Sequence, residues 1–101
     1  MGMVIERIEG DSECTFIILC ELVSQNINAV TEELNRFAKN DTRDAVLDLA
    51  SVRKIDSMSI AALIRFKNAL SEKNRSLSLV NPNETVLRVL ELSGLERFLM
   101  D

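Results

Sequence analysis

The sequence predicts an α/β layer structure with the element order β-β-α-β-α-β-α-α, and three observations lead there. Short apolar runs of strand length alternate with apolar stripes at helical spacing. Polar, turn-forming residues separate the two kinds of segment, so each element has a start and a stop. The length, 101 residues, suits one such unit and leaves nothing for a second. Strands that alternate with helices pair as parallel neighbours joined by helical crossovers.

Residues 3–9 alternate apolar and charged side chains, and Gly10-Asp11 turns the chain into the apolar run over 14–22, so the opening reads as a hairpin. Ile27, Val30, Leu34, Phe37 and Ala38 then form the stripe of an amphipathic helix, with Ser24 or Asn26 available as its cap and Asn40-Asp41 as its break. The run over 45–50 (AVLDLA) suits a strand covered on both faces. Asp56-Ser57 opens a second helix to about Lys73, with Ile60, Leu63, Ile64 and Leu70 inward and Arg65, Lys67 and Glu72 outward. Leu77, Leu79 and Val80 mark a further short strand. Asn81-Pro82-Asn83 starts a third helix carrying Val86, Val89 and Leu90, which Gly94 ends, and a last turn with Leu95, Phe98 and Leu99 closes the core.

Composition excludes much. With 47% hydrophobic residues, 28% charged residues and a net charge of −4, the chain can bury a core without disulfides or a metal. It has no histidine, which removes the commonest general base and metal ligand together. Its three glycines are scattered, so no loop can cradle a phosphate, and with no Trp, no Tyr and an acidic balance it is not expected to bind nucleic acid. Cys14 and Cys20, six residues apart on one strand, would stand roughly 20 Å apart; they read as separate buried thiols of a reducing compartment. No stretch approaches the ~20 apolar residues of a membrane span, the start has no secretory pattern, and Glu6 stands where a myristoylation signal needs Ser or Thr. A cytoplasmic protein is expected.

Chemistry gathers where parallel strands end and helices begin. Here that is 51–59 (SVRKIDSMS), which holds two cations, one acid and three hydroxyls. Ser and Asp before a helix are first of all caps, and spacing alone does not separate a cap from a switch. Asp48 and Asp56 could meet above one strand end, but no third oxygen ligand, lysine or nucleophile accompanies them. A phospho-aspartate receiver would need an acidic pair after the first strand, where this chain turns a hairpin. No catalytic residue, metal ligand or cofactor is assigned, and the chain is not expected to be an enzyme.

The run over 45–70 (AVLDLASVRKIDSMSIAALIRFKNAL), followed by 76–99 (SLSLVNPNETVLRVLELSGLERFL), resembles the STAS domain, the family of bacterial anti-sigma factor antagonists. The resemblance spans the chain, with Glu21-Leu22, Asp48-Leu49, Asp56-Ser57, Leu79-Val80-Asn81 and the 90–95 ending (LELSGL) in family order. It implies a single domain with a mixed four-stranded sheet and about four helices. It also implies a switch without catalysis of its own: unmodified antagonist binds an anti-sigma factor that is also a serine kinase and so frees a sigma factor, phosphorylation ends the binding, and a phosphatase resets it. By position the modified residue is Ser57, with Ser59 as second choice. The partner would be met by Asn26, Arg53, Lys54, Asp56, Ser57, Met58, Ser59 and Ile60, and ATP would belong to the kinase. Family antagonists read Asp-Ser-Ser/Thr-Gly-Leu-Gly at this loop, whereas this chain has Met58, Ser59 and Ala61 where they have a hydroxyl and two glycines. The alternative within the family is an unphosphorylated scaffold or ligand-sensing subunit of a transport, lipid-handling or stress complex. A monomer or weak dimer is expected, with Phe98 and Met100 closing the core.

Overall fold

In the computed structural model, which describes residues 4–92, the elements are β1 (Ile5–Glu9), β2 (Glu13–Ile18), α1 (Ile27–Asn40), β3 (Asp44–Asp48), α2 (Ser57–Ser71), β4 (Leu77–Val80) and α3 (Glu84–Leu92). They follow the predicted order, with three helices among the described residues. The closing turn at Leu95, Phe98 and Leu99, the stop at Gly94 and the part given to Met100 fall outside those residues. One mixed sheet runs β1-β2-β3-β4, with β1 antiparallel to β2 and the other neighbours parallel.

The β1–β2 turn needs Gly10. Its N–H donates to Glu13 O at 3.0 Å, and a Cβ there would lie 2.7 Å from that same oxygen. Beyond it, β2 is shorter than the apolar run suggests. It ends at Ile18, after which Leu19 N–H donates to Val4 O at 2.8 Å and Leu22 makes an isolated parallel bridge with Ile55.

The expected strand with both faces covered is a correction. In β3, Ala45 and Leu47 are buried, while Asp44, Val46 and Asp48 are half-buried. Both crossovers advance the same way across the sheet, so right-handed connections put α1 and α2 on one face, where they pack against each other. That face carries the core: Cys14, Phe16 and Ile18 of β2, Ala45 and Leu47 of β3, and Leu77 and Leu79 of β4. The predicted stripe of α1 is buried throughout. Phe37 meets Phe16 edge to face, with ring centroids 5.0 Å apart. Cys14 is fully buried, whereas Cys20 is half-buried against the core, where desolvation first and neighbouring Glu21 second push its thiol pKa up.

Helix ends follow local chemistry with one exception. Asp56 caps α2 by accepting from the Ser59 N–H, and Asn83 caps α3 by accepting from the Val86 N–H at 2.8 Å. Asn26 sits at the cap position of α1 but makes no cap bond; its Nδ2 donates to Glu21 O at 3.0 Å instead. Beyond α2, Asn74 takes φ 59°, and the Arg75 N–H returns to Leu70 O at 2.9 Å.

At the amino end of the parallel strands, cations close the layer. Arg75 is only 6% exposed and donates to Phe37 O, Ala38 O and Arg43 O, so it satisfies the last carbonyls of α1 without a carboxylate partner. Lys73 Nζ donates to Ala38 O at 2.7 Å. Arg43 grips Asp41 through two nitrogens at 2.9 and 2.7 Å and reaches Glu9 at 2.8 Å. These bonds hold the Asp41 carboxyl well below the usual carboxylate range. The guanidiniums of Arg7, Arg43 and Arg75 lie 5.6, 6.0 and 5.0 Å from the centre of the Phe37 ring.

Candidate functional site

At the carboxyl end of the parallel strands, three loops converge: 19–26 after β2, 49–56 after β3 and 81–83 after β4. Backbone bonds join the first two. Leu22 N–H donates to Lys54 O at 3.0 Å, and Asp56 N–H donates to Leu22 O at 2.9 Å. Carboxylates then fill the gaps in that pairing. Glu21 Oε1 accepts from the N–H groups of Arg53 and Lys54 at 2.7 and 3.2 Å. Asp56 accepts from Ser59 N–H through one oxygen at 2.9 Å and from Ser24 N–H through the other at 2.8 Å. Asp48 Oδ1 accepts from Ala50 N–H at 3.0 Å and from Asn81 Nδ2 at 3.3 Å. Asn83 Nδ2 donates to Val52 O at 3.1 Å, tying the third loop to the second.

These bonds set the charges. The amide of Arg53 lowers the Glu21 carboxyl pKa, and the amide of Ser59 does most to lower that of Asp56. Both groups are therefore fixed as anions whose lone pairs are turned to backbone. The cations differ: Arg53 and Lys54 are exposed, and among the described residues neither head group has an ion pair or a hydrogen bond.

Ser57 is the first residue of α2 and is exposed, with no hydrogen-bond partner for its hydroxyl among the described residues. Met58 beside it is 61% exposed, a large apolar side chain at the helix mouth. Arg53, Lys54, Asp56, Ser57 and Met58 thus share one surface, and half-buried Asn26 joins it through Glu21 O.

Two of the expected contact residues do not belong there. Ser59 is 0% exposed and Ile60 6%, because the third and fourth positions of α2 turn toward the core. Ser59 is thereby out of reach as a second modification site, and Ile60 serves only the inward stripe it was also assigned to. Ser59 Oγ is buried with no hydrogen-bond partner. Glu21 and Ser24 went unassigned to the site by sequence reasoning. A lone acid near the end of the apolar run over 14–22 is the signal that could have found Glu21.

Among the described residues no cluster of three metal-ligating side chains occurs, and no helix is long and apolar enough to cross a membrane.

The model of the STAS domain matches residues 3–100. A Thermotoga maritima protein described as a candidate anti-sigma factor antagonist is 39% identical over 51 residues, which is 50% of this chain and 45% of that protein. This chain thus matches about half the length of that curated relative. A crystal structure of a candidate anti-sigma factor antagonist from Thermotoga maritima superposes with a TM-score of 0.86 at 26% identity, covering 95% of this chain and 83% of the other. The unphosphorylated form of the anti-sigma factor antagonist SpoIIAA shares the fold, with a TM-score of 0.81 at 17% identity over 96% of this chain and 86% of that one.

Proposed function

The chain belongs to the STAS domain family, and on that premise we propose that it is a cytoplasmic anti-sigma factor antagonist that binds an anti-sigma factor serine kinase and is switched off by phosphorylation of Ser57. The observation that carries this reading is the exposed, unpartnered Ser57 hydroxyl at the mouth of α2, two positions from a serine that is fully buried.

The chain itself needs no cofactor and performs no catalysis in this reading; the kinase brings ATP and a phosphatase reverses the step. Phosphate adds about −1.5 to −2 charge. The helix dipole returns only ~0.3–1 kcal/mol of that, so the domain has no reason to refold. A partner carboxylate ~6 Å from the new charge, at an effective dielectric of ~20, loses about 2.8 kcal/mol, roughly a hundredfold in affinity. Met58, beside Ser57 in the chain and 61% exposed, offers the apolar contact that such a complex needs at its centre.

Incubation with the anti-sigma factor kinase of the same genome and ATP tests it. One phosphate is expected, absent in Ser57→Ala, and Ser57→Asp is expected to weaken binding about a hundredfold. Phosphate on another residue, or undiminished binding by Ser57→Asp, overturns the assignment.

A further inference from the structure

We propose that Arg53 and Lys54 receive the phosphate placed on Ser57, so that modification cancels a cationic patch which otherwise faces the partner. This rests on the functional reading above and says how its switch works: the partner surface is acidic, and phosphorylation removes the attraction as well as adding repulsion.

Glu21, Asp48 and Asp56 each accept two N–H groups of the chain's own loops, so their charge is directed inward. Arg53 and Lys54 give their backbone N–H groups to Glu21, which pins their main chain, while both side chains stand in solvent without a partner. Every arginine at the opposite end is engaged: Arg7 with Glu9, Arg43 with Asp41 and Glu9, and Arg75 with carbonyls. Both cations lower the Glu21 carboxyl pKa through space, but neither head group is bound to an acid, so the pair is left to meet a second anion.

Reach and charge both fit. Two residues, Ile55 and Asp56, lie between Lys54 and Ser57, at most ~10 Å of chain, and Ile55 is fixed by its bridge to Leu22. The pair carries two positive charges and the phosphate about −1.5 to −2, so the sum falls close to zero. Phosphate oxygens accept from guanidinium and ammonium alike, and the hydroxyl they replace makes no bond that must first be broken. Asp56 is the nearest opposing charge, yet its two oxygens already hold Ser59 and Ser24. A cationic patch that steers an acidic partner raises association rates by about tenfold or more, and loses that effect when neutralised.

The test uses the whole chain with phosphoserine encoded at position 57, in wild type and in Arg53→Ala/Lys54→Ala. Alanine keeps the backbone N–H groups that Glu21 needs, so the loop stays pinned. A phosphorus NMR titration reads the second ionisation of the phosphate, ordinarily near ~6. Asp56 and Glu21 are anions in both proteins across that range, so the difference reports the two cations alone. The midpoint is expected to rise by about half a pH unit or more in the double variant. Coincident curves overturn the proposal, whatever the kinase does. In a second measurement on unphosphorylated chains, the double variant is expected to associate with the kinase about tenfold more slowly at low salt, with dissociation unchanged. An unchanged association rate also overturns it. A kinase that ignores the wild-type chain instead overturns the functional reading, and the titration still decides where the phosphate goes.

Discussion

At the amino end of the parallel strands, cations donate to carbonyl oxygens and three guanidiniums surround Phe37; at the carboxyl end, three carboxylates accept from backbone N–H groups. Both ends face the same difficulty, since loops and helix termini leave backbone groups that the sheet cannot pair. The solutions differ in what remains. At the amino end Arg7, Arg43 and Arg75 lie against one aromatic ring, and Arg43 is also held by Asp41 and Glu9. At the carboxyl end the acids are consumed and two cations, a hydroxyl and a methionine are left outward. One end has its charges engaged and the other leaves two cations outward, and substitutions can separate the two.

The largest effect is expected from Arg75→Met. It removes the guanidinium from Phe37 O, Ala38 O and Arg43 O in a site that is 6% exposed, leaving Ala38 O to Lys73 and Phe37 O to the Asp41 N–H. A loss of about 3 kcal/mol in urea-unfolding stability is expected, because bonds to a charged donor contribute about 1.5–3 kcal/mol each and neighbours relax only in part. Phosphate uptake at Ser57 by the folded fraction should be unaltered. A variant that keeps its stability but loses modification would dissolve the division between the ends.

That division was only half legible in the sequence. The stripe of α1 and the Asp56 cap of α2 are local patterns, with partners within a few residues, and periodicity exposes them. The amino-end cluster joins Arg7, Asp41, Arg43 and Arg75 across three strand boundaries, and nothing in the spacing of lone arginines predicts that one ring gathers three of them. The site was legible as a loop and a helix start. Its inner half was not, because Ser59 reads as a surface hydroxyl until the phase of α2 is fixed by Ile60, Leu63 and Phe66. The clamp by Glu21 was hidden for the same reason as the arginines: its acceptor role lies 32 residues away in the chain.

Asp41→Asn sharpens the comparison through pH. Hydrogen bonds from Arg43 and Thr42 hold the Asp41 carboxyl below its ordinary value of 3.8. A carboxyl lowered by folding stabilises above its unfolded pKa, and the contribution fades as pH falls below that value toward the folded one. With screening at a partly exposed site, wild type should exceed Asp41→Asn by about 1 kcal/mol at pH 7. The gap should narrow steadily in urea unfolding below about pH 4. A gap that persists at low pH would mean that shape, not charge, makes the contribution.

The smallest effect should have the opposite sign and come from the contact end. Ser59 Oγ is buried without a well-formed hydrogen bond and only helps the Ser59 amide lower the Asp56 carboxyl, a weak return for the water it has given up. Its backbone N–H, which Asp56 needs, is unaffected by side-chain truncation. Ser59→Ala should therefore raise stability, by up to about 1 kcal/mol, in thermal and urea unfolding. Ser57 should be phosphorylated at the wild-type rate, because the cap and the exposed face of α2 stay as they are. A loss of stability would show that the oxygen is satisfied in solution, by a bound water or by Asp56. The carboxyl end would then be as fully paired as the amino end, and the contrast between them would rest on Arg53, Lys54 and Met58 alone.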